Sequence, residues 1–143
     1  MLIREPKAAV ASTLIRHPEL QAGQALATYV AFYEPLKALK ADVVVATFEE
    51  VTENYVQVIS KVNKKFETEF PSFEHTQAFT EKVFSYIENL KEDLDEGIAE
   101  HRVARHSEER ALLQANVMQQ IEHAANQKIL QEAQELHRFF LKS

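Results

Sequence analysis

The sequence has no cysteine, and its 143 residues include only two glycines, Gly23 and Gly97, and four prolines. Without cysteine the chain has no disulfide framework, no thiolate metal site and no cysteine nucleophile. Sheet proteins of this size need many turn residues, so the shortage of glycine and proline argues for few, long elements, which means helices. The same shortage excludes a Gly-rich phosphate loop, a nucleophile elbow and a kinase signature. Also missing is any uncharged run of roughly 18 residues, the length a membrane-spanning helix requires. Arg4, Glu5, Lys7 and Arg16 interrupt the N-terminal stretch where a signal peptide would be continuously apolar. A soluble, cytoplasmic chain is the expectation.

Apolar residues make up 45% and charged residues 27%, a balance that supports a folded core and is too hydrophobic for a disordered chain. The length suits one domain spanning 1–143. Charge is unevenly placed. Residues 1–41 carry five basic and three acidic side chains, 42–100 carry five and fourteen, and 101–143 carry six and five, for net charges of +2, −9 and +1. An acidic middle disfavours binding to phosphate backbones, which needs clustered Lys and Arg, so nucleic acid is an unfavoured partner.

Hydrophobic periodicity predicts an all-α fold. Pro6 opens a helix over about 7–16, with Val10, Leu14 and Ile15 on its apolar side, and His17-Pro18 stops it. Pro18 suits the first turn of a second helix, and the 25–33 segment, apolar on nearly every side, reads as a central helix surrounded by protein. Pro35 ends or kinks it ahead of a short stretch holding Leu36 and Leu39. The valines of "ADVVVATF" are the one place where a strand is arguable, and no second strand is evident to pair with it.

Thr47 and Glu50 then have capping-box spacing, and Val51, Tyr55, Val58, Val62, Phe66 and Phe70 recur at steps of three and four up to Pro71. A second such stripe runs from Phe79 to Ile98, with Thr76 as its cap, and a third from Leu113 to Phe140. The expected architecture is an up-down bundle of three long helices within 42–143, completed or capped by shorter helices in the 1–41 region.

Few residues suggest chemistry. The segment 100–110, "EHRVARHSEER", holds two histidines, three arginines and three glutamates, and the apolar stripe lapses there. His101 and His106 are five residues apart, about 140° around a helix axis, so they cannot chelate one metal. Arg102 and His106 share a face with Glu109 and resemble the Arg-then-His pair that some helical RNases place near a helix end. The three residues between them are fewer than in that pattern, which leaves RNA cleavage as a weak alternative. The acidic run 92–97 does not match a calcium loop, because a loop starting at Asp93 puts Gly97 at its fifth position rather than its sixth. The six histidines offer no Glu-x-x-His pair and no His-x-x-x-His pair of the kind that places metal ligands on one helix face, so neither a metal nor a cofactor is expected.

Surface for another protein is what remains. The stripe from Leu113 to Phe140 is flanked by Gln, Asn and Ala rather than by charge, which permits close helix approach without strong desolvation. Phe139, Phe140 and Leu141 are adjacent, and three such groups cannot all face one core. Contact with a partner is therefore assigned to Arg102, Arg105 and His106 at the polar corner and to Phe139 and Leu141 at the end of the last helix. The functional expectation is a non-enzymatic interaction or regulatory protein, acting as a homodimer or an adaptor subunit. A bundle binding a small ligand or metal is the alternative.

Overall fold

A computed structural model describes residues 1–72, 76, 78, 81–83, 85, 86 and 108–142. Packing divides the chain into two compact units, one formed by Met1–Val45 with His101–Ser143 and the other by Ala46–Glu100. The chain is all-α, with little strand.

In the first unit, α1 spans Pro6–Arg16. Pro6 fills a first-turn position that lacks a hydrogen-bonding duty, and the Glu5 carboxylate accepts from the Ala8 N–H at 2.8 Å. The helix stops at His17, before Pro18, as the sequence predicts. Pro18 does not open the next helix. It sits in a turn closed by the Leu20 N–H donating to the His17 carbonyl (3.1 Å), and α2 begins at Ala22 and runs to Tyr33. Nor is α2 surrounded by protein: it buries Ala22, Ala25, Leu26 and Tyr29, whereas Phe32 is 61% exposed. A nearly charge-free sequence marks a helix without choosing which face is covered. Pro35 ends α2, and Pro35–Asp42 continues as a 3-10 helix.

The stripe from Leu113 to Phe140 divides into two helices, α5 (Glu108–Ile121) and α6 (Gln127–Leu141), joined by a 3-10 turn at Ala124–Asn126. The core of this unit draws Val10, Leu14 and Ile15 from α1, Leu26 and Tyr29 from α2, Val117 and Ile121 from α5, and Leu130 and Ala133 from α6. The N-terminal helices thus form half of a four-helix core rather than its cap. A smaller cluster of Ile3, Leu136 and Phe140 closes one end.

The second unit holds α3 (Phe48–Glu53) and α4 (Tyr55–Phe66). The capping box is present: the Thr47 hydroxyl accepts from the Glu50 N–H (3.1 Å), and the Glu50 carboxylate accepts from the Thr47 N–H (2.9 Å). The hydrogen bond from Lys61, joined by that from Thr47 and the attraction of the Lys61 charge, holds the Glu50 carboxyl below the usual carboxylate range. Two breaks shorten the long helix expected here. Asn54 (φ −145°, ψ 57°) separates α3 from α4. Glu67 ends α4 in the left-handed region (φ 52°, ψ 43°), and the Asn63 side chain takes over the chain beyond it, accepting from the Phe70 N–H and donating to the Phe70 carbonyl, each at 2.9 Å. The expected stripe from Phe79 to Ile98 lies largely outside the described residues. Of strand there are two-residue pieces, Ala46–Thr47 within the valine-rich segment and Leu2–Ile3, which the sequence reading missed.

Two tyrosines pin the N-terminal segment to α2. Tyr29 donates to the Arg4 carbonyl (2.9 Å) and Tyr33 to the Leu2 carbonyl (3.0 Å). Burial raises both phenol pKa values above the ordinary 10.0, and for Tyr29 the nearby Tyr33 and Glu5 add to it. The neutral phenols are the forms that the fold favours, so their contribution is complete below pH 10 and is lost as pH rises above it. Replacing both with Phe is expected to lower stability at neutral pH by about 1 kcal/mol per lost hydrogen bond. It should also flatten the alkaline limb above pH 10 in circular dichroism melts; an unchanged alkaline limb would show that the hydroxyls do not set it.

Candidate interaction surface

The turn between α5 and α6 is built without glycine or proline. Ending α5 at Ile121 releases backbone carbonyls that need donors. Side chains supply them: Asn126 Nδ2 donates to the Gln120 carbonyl (2.8 Å) and Gln127 Nε2 to the Glu122 carbonyl (2.7 Å). His123 is in an extended conformation (φ −57°, ψ 143°), and its Nδ1 accepts from the Ala125 N–H at 3.3 Å. Lys7 of α1 pairs with Glu122 at 2.6 Å on the surface. The corner packs closely on the start of α2, where a Cβ on Gly23 would lie 2.9 Å from Asn126 Oδ1. A side chain at 23 would have to displace the Asn126 amide, and the glycine has no unusual dihedral that would by itself require it.

An open groove of about 490 Å³ runs along this junction, between residues 20–23 and one face of α5. Its polar lining is carboxamide and imidazole: Gln21, Asn116, Gln119, Gln120, His123 and Asn126, with no charged side chain. From Ala111 to Ile121 the sequence carries no charge at all. Val117 and Ile121 of α5 face the core, and Gln114, Asn116, Gln119 and Gln120 face outward. Leu112 is 75% exposed on the same helix. Each carboxamide offers donors and an acceptor without the desolvation cost of a full charge.

At the far end of α6 the three adjacent apolar residues separate as the sequence predicts. Phe140 is 2% exposed, Phe139 39% and Leu141 45%. Phe139 is not left bare. Its ring meets Phe140 edge-on (centroids 5.2 Å), and the Lys40 ammonium lies 4.7 Å above its centroid. That same ammonium donates to the Phe139 carbonyl (2.7 Å) and to the Lys142 carbonyl, so one lysine caps α6 and covers the ring. Of the two expected contact residues that are described, Phe139 and Leu141, Leu141 is the more exposed.

Arg102, Arg105 and His106, and with them the alternative nuclease pair Arg102/His106, lie outside the described residues, as does the acidic run 92–97. Among the described residues no group of His, Asp and Glu is placed to hold a metal ion, and no helix is long and apolar enough to cross a membrane. The carboxamide groove was half legible. The Gln/Asn-rich flank was visible in sequence, but the bend at 122–126 that sets it against α2 was not. The signal for that bend was His123 with Asn126 and Gln127, cap-forming side chains inside an otherwise continuous stripe. No family model matches the chain, no curated protein matches it, and no solved structure matches it.

Gly23→Ala is expected to push Asn126 off the Gln120 carbonyl and to cost about 1 kcal/mol. In a double-mutant cycle, adding Asn126→Ala should recover part of that loss, because the clash disappears with the amide. Strictly additive melting temperatures would show that the two residues do not meet.

Proposed function

We propose that this chain is a non-enzymatic helical interaction protein that acts through helix-face contacts, as a homodimer or as an adaptor subunit of a larger assembly. The observation that carries the reading is the uncharged outer face of α5 beyond Arg110, where Asn116, Gln119 and Gln120 stand exposed beside an open groove. In a chain with 27% charged residues, a charge-free surface of this kind suits close approach by another helix or loop, because neither side has ions to desolvate. The acidic middle supports a protein rather than a nucleic acid as the partner. We place this role in the cytoplasm. Phe139 and Leu141, and Arg102, Arg105 and His106 from the sequence, are the further contacts that we assign to it.

The direct test places a photo-crosslinking residue at position 119 in the native host, with position 28 on the exposed side of α2 as control. A discrete adduct from 119 that is absent from 28 is the expected result. The double substitution Asn116→Glu/Gln119→Glu should weaken that adduct by about tenfold or more, since each glutamate buries an unpaired charge on docking. The fold itself should move by no more than about 0.5 kcal/mol, as for exposed sites in general. No adduct at 119, or one indifferent to the two glutamates, would remove this face from the function. Light scattering on the purified chain separates the homodimer from the adaptor.

A further inference from the structure

Residues 122–126 read Glu-His-Ala-Ala-Asn. Nothing in them enforces a turn, and alanine is the strongest helix former. Apolar residues recur through them at Ile121, Ala125 and Ile129, the four-residue spacing that a continuing helix would keep. The bend is held by polar contacts at the surface: His123 Nδ1 with the Ala125 N–H, Asn126 with the Gln120 carbonyl and Gln127 with the Glu122 carbonyl, together with the backbone bonds of His123 to Gln120 and Asn126 to His123 and the Lys7–Glu122 pair. Straightening the segment would replace these bonds with ordinary backbone helix bonds, so the bent and straight forms differ little in hydrogen bonding.

A straight helix over 108–141 is about 51 Å long at 1.5 Å per residue. It carries α6 away from its own α1 and α2 and uncovers Leu130, Ala133, Leu136 and Phe140, all buried in the bent form. One surface is already shaped for that face, namely the α1–α2 surface of an identical chain whose own α6 has also swung out. We infer that 122–126 is a hinge, and that two copies of this chain exchange α6 through it to form a two-fold dimer in which the α2–α6 packing is remade between chains. The occupant is set by complementarity: the packing of α6 on α1 and α2 in the exchanged form is the packing that the closed chain already makes. The exchange goes beyond the docking role proposed above and does not depend on it.

Ala124→Pro tests the hinge directly. His123 has the extended dihedrals that a residue before proline prefers, and Ala124 opens the 3-10 turn and donates no backbone hydrogen bond. Proline therefore fits the bent form, while in a straight helix it sits in the interior and breaks it. Asn126→Ala acts in the opposite sense, removing the bond to the Gln120 carbonyl. Each protein is unfolded in denaturant, refolded at about millimolar concentration, diluted, and resolved by size-exclusion chromatography and native mass spectrometry. The wild type should give a dimer that persists for hours after dilution, because separating the chains requires unfolding. Ala124→Pro should lower the dimer-to-monomer ratio by on the order of a hundredfold with the helical circular dichroism retained, and Asn126→Ala should raise it. Asn116→Glu/Gln119→Glu should leave it unchanged; a dimer lost with those glutamates would be a docked dimer and would overturn the exchange. So would an Ala124→Pro variant that dimerises as readily as the wild type. If Ala124→Pro fails to fold, the comparison of wild type with Asn126→Ala decides, and purely monomeric refolding of both overturns the inference.

Discussion

Backbone polar groups released in the middle of the Leu113–Phe140 stripe must be satisfied, and the first unit depends on how that is done. If the carbonyls of Gln120 and Glu122 found no donors, α5 could not stop, α6 could not return along α2, and Leu26, Tyr29 and Ile121 would lose the neighbours that bury them. The donors are the carboxamides of Asn126 and Gln127, joined at the Gln120 carbonyl by the His123 N–H (3.4 Å). A corner made in this way costs no glycine entropy, and it leaves the residues around it free to be amides instead of ions.

That choice of side chain links stability to surface chemistry. The amides that line the groove and those that hold the corner belong to one Gln/Asn-rich stretch, and Asn126 serves in both. Charge is kept to the periphery, where Lys7–Glu122 and Lys37–Glu34 pair in solvent and contribute little to stability. At the opposite end of α6, by contrast, a cation is used structurally: the Lys40 ammonium satisfies the terminal carbonyls and lies over Phe139. The two ends of one helix are thus finished by different means, an uncharged one facing the groove and a charged one closing the core.

Much of the fold could be read from local sequence because the signals were local. Pro6 and His17-Pro18 bound α1, the Thr47/Glu50 box starts α3, and the three-four spacing separated buried Phe140 from exposed Phe139. What escaped were events that periodicity does not encode. Apolar residues go on recurring every three or four positions through a bend, so step spacing alone reads Leu113 to Phe140 the same whether it is one helix or two. Asn54 interrupts α3 and α4 in the same silent way. Burial of α2 on one face was hidden because Ala22 and Ala25 on the buried side are matched by Ala27, Ala31 and Phe32 on the exposed side. Gly23 looked incidental, and its role depends on Asn126, more than a hundred residues away. The groove combined a legible half, the amide flank, with an illegible half, the long-range contact that closes it.

The first core is assembled from chain segments on either side of Ala46–Glu100. Helices α1 and α2 therefore meet α5 and α6 only after that intervening stretch has looped back, which puts the main entropic cost of folding ahead of most of its reward. Loop-closure entropy rises only slowly with length, by about 0.6 kcal/mol per doubling. The four-helix core should thus be nearly indifferent, at equilibrium, to insertions in the middle of the chain. Their effect falls on the speed of folding, and during that wait α1 and α2 present an unfilled apolar surface to whatever helix arrives first.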